Sequence, residues 1–251
     1  MDRRTYLVLA GGIATLGSTA VGAGQDGDPN ENGNADEEDV LMIGTLDDLD
    51  ELPFDADVVA ELEGDGSTVT DEFELDEGLA LFVYESENVD DEGIEADLEQ
   101  LDGDFDETWT INEVVFMDTD IDEVTGATLS QPDEGEYILD LGTDGEWDVH
   151  VVQLEAPQDE VVSPPVSASG EHSAVFGPIE ADGGLTISGE HDEGDYDRMF
   201  DVLAYPEDPE ERFDFAFTED PGFEGETRVD VDGVTWIEVN TLGEWAIEVD
   251  N

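Results

Sequence analysis

A long internal duplication organises this chain and restricts its fold to an architecture that can be built twice. Gly64-Asp-Gly-Ser-Thr-Val69, followed by Gly78-Leu79, returns as Gly170-Glu-His-Ser-Ala-Val175, followed by Gly184-Leu185, at an offset of 106 residues. The match resumes near each end, where Tyr137-Ile-Leu-Asp-Leu-Gly-Thr-Asp-Gly-Glu-Trp147 faces Trp236-Ile-Glu-Val-Asn-Thr-Leu-Gly-Glu-Trp245. The offset falls to 99 at Gly126/Gly225 and Tyr137/Trp236, and to 98 at Trp147/Trp245. Stepwise changes of this kind reflect length differences in surface loops, which tolerate deletion better than strands do.

What repeats is an alternation of apolar residues between turn formers. Val69–Leu75 places its odd-numbered apolar residues on one face, and Leu79–Tyr84 is continuously apolar, as a central strand would be. Trp109–Phe116 reads as another strand. Tyr137–Leu141 and Trp147–Val151 flank Asp144-Gly145, which predicts a hairpin turn. The expected fold is all-β: two tandem antiparallel β-sandwich domains, jelly-roll-like, produced by the duplication. The boundaries expected are 54–153 for the first sandwich, 154–165 for a Pro-containing linker and 166–251 for the second. Gly64, Gly78, Gly145 and their partners are expected to supply positive-φ positions, and Trp147 and Trp245 to face the two cores. An exposed aromatic sugar platform is the alternative role for these tryptophans.

Charge sets the solvent. Asp and Glu total 73 of 251 residues against five arginines and no lysine, a formal net charge of -68. In dilute buffer that much like charge opposes compaction. At roughly 1 M salt the Debye length falls to about 3 Å, so the repulsion becomes short-ranged. The composition therefore reads as adaptation to molar salt. No basic patch is present to neutralise phosphates, so nucleic acid is excluded as a partner. Cysteine is absent, which excludes disulfides, thiolate chemistry and an acylated lipoprotein cysteine.

Met1-Asp-Arg3-Arg4-Thr-Tyr6-Leu7 precedes a mildly apolar run to Ala23, with Val21-Gly22-Ala23 as a small-x-small cleavage site. This segment, 1–23, resembles a twin-arginine export signal, and the resemblance implies export after folding, to the cell surface or beyond it. No other membrane association is expected. Residues 24–53 read as an acidic flexible tether, with Thr45–Leu52 able to form one or two helical turns capped by Thr45 and stopped at Pro53.

The Gly-x-x-Ser-x-Val, Gly-Leu and closing Gly-Glu-Tyr…Asp-Gly-Glu-Trp pattern resembles small secreted β-sandwich modules of halophilic archaea and of bacteria. The resemblance spans about residues 58–153 and 166–251 and implies the fold rather than an activity.

Chemistry is sparse. The histidines are His150, His172 and His191; His150 matches Glu248 and His172 matches Gly66, so neither recurs, and surface placement is expected for all of them. There is no Gly-x-Ser-x-Gly elbow. No catalytic residue or bound cofactor is assigned. Calcium is the one ion the composition invites: Asp102, Asp104 and Asp106, and Asp118, Asp120 and Asp122, each set carboxylates at every second residue and are the candidate ligands. Solvated acidic loops are the plainer reading of both triplets. The leading expectation is a non-enzymatic binding or structural accessory module, with an extracellular protein or carbohydrate as partner. A calcium-dependent carbohydrate- or protein-binding module and a carboxylate-dependent hydrolase are the alternatives.

Overall fold

A computed structural model describes residues 40–54, 56–87, 94–101, 123–192 and 199–251. Trp109–Phe116 and all six candidate aspartates lie outside the described residues. The chain enters through β1 (Leu41–Ile43) and α1 (Leu46–Leu49). The first copy then contributes β2 (Asp57–Asp65), β3 (Thr68–Val69), β4 (Phe73–Leu75), β5 (Leu79–Glu87), β6 (Ile94–Gln100), β7 (Glu123–Ser130), β8 (Gly135–Thr143) and β9 (Glu146–Leu154). The second contributes β10 (Val166–Gly170), β11 (Ala174–Ala181), β12 (Leu185–His191), β13 (Phe200–Pro206), β14 (Asp214–Glu219), β15 (Glu224–Val229), β16 (Gly233–Asn240) and β17 (Trp245–Asp250).

Each copy is an antiparallel sandwich. In the first, β2-β9-β5-β7 faces a sheet in which β8 pairs with β3 and β4 and with β6. In the second, β10-β17-β12-β15 faces β1-β11-β16-β13-β14. Separate cores fill the two sandwiches, around Phe82, Tyr137 and Trp147 in one and Phe176, Phe200 and Trp245 in the other.

Asp144-Gly145 does not close a hairpin. It carries the chain from β8 in one sheet to β9 in the opposite sheet, and the same crossing joins β16 to β17. A short Asp-Gly link between alternating segments serves a sandwich edge as well as a hairpin, and sequence alone does not separate the two.

The repeat holds in space with two corrections of register. Trp147 and Trp245 occupy equivalent core sites, 3% exposed in each copy. The indole of Trp147 donates to the Gly66 carbonyl at 3.0 Å, and that of Trp245 donates to the His172 carbonyl at 2.8 Å. The position that differs between copies therefore conserves its role through the backbone. Gly64 and Gly170 pair with these tryptophans across the sheet. Neither has positive φ; a Cβ on Gly170 would lie 2.8 Å from the Trp245 ring, and one on Gly64 would clash with Trp147. Close approach, not backbone conformation, requires glycine there. Gly145 also lacks positive φ, whereas Gly78 and Gly184 do have it, at 139° and 108°.

The Gly-Leu and Tyr/Trp matches are each displaced by one residue from the spatial equivalence. Leu79 faces out of its sandwich while Leu185 faces into the second core; Tyr137 is in the first core while Trp236 faces out. Spatially, Ala80, Phe82 and Tyr84 correspond to Leu185, Ile187 and Gly189, as their pairing with β9 and β17 shows. A one-residue slip exchanges the faces of a strand.

Those outward faces explain why Leu79–Tyr84 is apolar throughout. A third buried cluster joins Leu79, Leu81, Val83, Ala127, Leu129, Val152 and Leu154 of the first copy to Val175, Leu203, Tyr205 and Trp236 of the second. The outer surface of β9-β5-β7 is thus packed on that of β11-β16-β13. The two mated sheets are not equivalents, so the copies stack head to tail.

At the two free ends the equivalent positions are polar with one exception, Ile138. Where the first copy's mating sheet has Leu81, Val83, Ala127, Leu129 and Val152, the second copy's free sheet has Thr186, Ser188, Glu226, Arg228 and Asp250. Where the second copy's mating sheet has Leu203, Tyr205 and Trp236, the first copy's free sheet has Asp97, Glu99 and Ile138. Polar outer faces cap the stack after two units, as terminal repeats do in longer arrays.

Residues 40–53, expected in the tether, are built into this junction. β1 adds to the edge of β11, with Ile43 fully buried, and Leu46, Leu49 and Leu52 pack on the mating cluster. The helix forms as expected at Thr45, where the Asp48 carboxylate accepts the Thr45 N–H at 2.8 Å. Within the 154–165 connector, Val162 bridges to Ile179 and donates its N–H to the Pro178 carbonyl at 2.9 Å, so this segment too is docked.

Candidate functional site: an aromatic rim beside a buried carboxylate

Along Phe213-Asp-Phe215-Ala-Phe217 the aromatics fall at every second residue, which in a regular strand would put all of them on one face. They do not share one. Val202 pairs with Phe217 and its neighbour Leu203 pairs with Phe215, leaving Ala216 as the extra residue of a bulge. Phe217 therefore enters the core at 5% exposure, and Phe215 turns to the opposite, mating side of the sheet, where it is 55% exposed. Phe213 sits beside it, 5.5 Å between ring centroids and edge-on, and packs on Tyr205 at 5.1 Å. Gln131 of the first copy fastens this rim: its amide donates to the Pro206 and Glu211 carbonyls at 3.1 and 3.2 Å and accepts the Phe213 N–H at 3.2 Å. The result is a fixed aromatic step at the edge of the junction, ending in an exposed ring. The alternating Phe run was the available sequence signal for it; the bulge that exposes Phe215 has none.

Beside the rim lie a buried carboxylate, Glu238, and a half-buried one, Glu207. β7 is the edge of its sheet, so its outward N–H groups need acceptors. The Ser173 carbonyl accepts that of Ala127 at 3.3 Å, and the Glu238 carboxylate accepts that of Leu129 at 2.7 Å. Burial pushes the Glu238 carboxyl up to about 7; hydrogen bonds from Leu129 and the Thr128 hydroxyl oppose the rise, and Asp201 adds to it. The same burial, with Glu238 nearby, holds the Tyr205 phenol well above its ordinary range. Glu207 is raised by burial and accepts both the Trp236 indole at 2.8 Å and the Ala156 N–H at 3.0 Å. Glu238 binds across the junction and Glu207 ties Trp236 to Ala156 of the connector, so their chemistry is spent on holding the copies together. Nothing in the sequence separates Glu238 from solvated neighbours, because its equivalent, Asp140, is exposed.

The other expected features fall elsewhere. Trp147 and Trp245 are core residues and offer no sugar platform. His191 is buried rather than superficial, stacked on Phe200 at 5.1 Å, with Nε2 bonded to the Leu242 carbonyl at 3.0 Å and the Thr241 hydroxyl at 2.9 Å. His150 is half-buried on the outward face of β9. Among the described residues no group of three or more His, Asp or Glu is arranged to hold a metal ion.

No family model and no curated protein sequence matches the chain. Among solved structures it is similar to the N-terminal CBM22-1-CBM22-2 tandem domain from Paenibacillus barcinonensis Xyn10C, with 12% identity over 84% of this chain and 97% of that one, at a TM-score of 0.26. It is also similar to allantoicase, with 9% identity over 78% and 81% of the two chains, at a TM-score of 0.24. These are remote likenesses.

Proposed function

We propose that the chain is an exported, salt-adapted, non-enzymatic module that binds a partner outside the cell through its aromatic rim. The observation that carries this reading is Phe215: a large ring more than half exposed, supported by Phe213, which itself packs on Tyr205 and is pinned by Gln131. In molar salt, charge recognition acts over only about 3 Å, so apolar contact is the interaction such a surface can still use. A rigid ring at low entropic cost suits either the C–H face of a sugar or an apolar side chain of a protein. Export rests on Arg3-Arg4-Thr-Tyr6-Leu7 and the run after it.

Retention on isolated cell envelopes in about 3 M salt tests this reading, comparing wild type with Phe215→Ser. Binding of the wild type with loss of about tenfold or more in the variant, at an unchanged unfolding midpoint, supports it. Equal retention of the two proteins, or none, leaves the rim without a binding role.

A further inference from the structure

The two sandwiches meet at a junction that encloses a carboxyl group. Glu238 sits on β16, 4% exposed, with its oxygen on the Leu129 N–H of the other copy. From β13 it is faced by Asp201 and Tyr205, and from β7 by Thr128 and Leu129. Asp201 repels it when ionised and Tyr205 stays a neutral phenol; among the described residues, the hydrogen bonds from β7 are what favour its charge. An ion enclosed in this way costs free energy that the neutral acid does not, while either form can accept the Leu129 N–H.

We propose that Glu238 makes the junction between the two sandwiches responsive to pH, closed while its carboxyl group is protonated and loosened once that group ionises. The direction follows from the environment. Burial raises the folded-state value from 4.5 to about 7. Below 4.5 the acid is protonated whether the junction is open or closed, and its contribution to closure is complete. As pH rises toward 7 the open state ionises first and gains, so closure weakens, and above 7 the penalty levels off. In a chain of net charge -68, separating the sandwiches also relieves repulsion, so both effects act in the same direction.

The test is amide hydrogen exchange on the full chain in about 3 M salt, from pH 5 to 8, with intrinsic rates divided out, for wild type and Glu238→Gln. Ala127 is the informative amide, because its acceptor is the Ser173 carbonyl, which does not titrate. Wild-type protection of Ala127 falls across this range by up to on the order of a hundredfold relative to Glu238→Gln, the comparison cancelling the contribution of the other raised carboxyl at the junction, Glu207, which both proteins keep. Parallel protection of Ala127 in the two proteins at every pH overturns the proposal. Should the variant fail to fold, the Glu238 carboxyl carbon resonance of the wild type decides: titration near neutrality sustains the proposal, and titration in the ordinary glutamate range overturns it.

Discussion

Glu238 reaches from one sandwich to the other and accepts the Leu129 N–H at 2.7 Å, closing an edge strand that would otherwise carry an unpaired buried donor. Removing the acceptor leaves that donor unpaired. Glu238→Ala should therefore lose about 1–3 kcal/mol at pH 5, where the wild-type acid is largely neutral. Glu238→Gln, which keeps an acceptor oxygen, should lose less. Denaturant unfolding in molar salt measures both.

The pH dependence has a definite sign. Since burial raises Glu238 from 4.5 to about 7, wild-type stability should fall relative to Glu238→Gln as pH rises through this interval, and the difference should be flat outside it. The comparison between the two proteins cancels the general effect of titrating the surface carboxylates.

Gly170 and Trp245 make a third prediction. A Cβ at position 170 would stand 2.8 Å from the indole, so the ring must move and strain its bond to the His172 carbonyl. Gly170→Ala should cost about 1–3 kcal/mol, the usual penalty for overpacking. Gly183→Ala tests backbone conformation instead, since φ there is 75° and nothing lies within 4 Å of the added carbon.

Polar end faces should be what keeps the stack at two copies. Converting Thr186, Ser188, Glu226 and Arg228 to Leu, Val, Ala and Leu reproduces the apolar character of the first copy's mating sheet. The variant should self-associate in a concentration-dependent way by sedimentation, with an apparent mass above that of the wild type.

Much of this architecture was legible in the sequence because glycine, tryptophan and alternating apolar residues report local geometry. Gly64, Gly170, Trp147 and Trp245 identified the duplication, the strands and the cores. What escaped depends on which surface covers a strand's second face. Leu79 and Leu185 match as letters but point in opposite directions, since alternation defines two faces without saying which is inner. Residues 40–53 look polar enough for a tether, yet Ile43, Leu46 and Leu49 find an apolar junction assembled from both copies. Glu238 and Asp140 are equivalent acids on equivalent strands, and only the presence of the other copy buries one of them. The bulge at Ala216 likewise leaves no mark in the alternation that it interrupts.

The central claim is that the two copies form one cooperative body through mated, non-equivalent sheets. Fluorine-labelled tryptophan, assigned by single substitutions, places one reporter in each core at Trp147 and Trp245 and one in the junction at Trp236. Thermal unfolding in about 3 M salt should show these three of the chain's four tryptophan resonances changing at one midpoint. Separate midpoints for Trp147 and Trp245 would contradict the account, since the sandwiches would then be independent domains that merely touch.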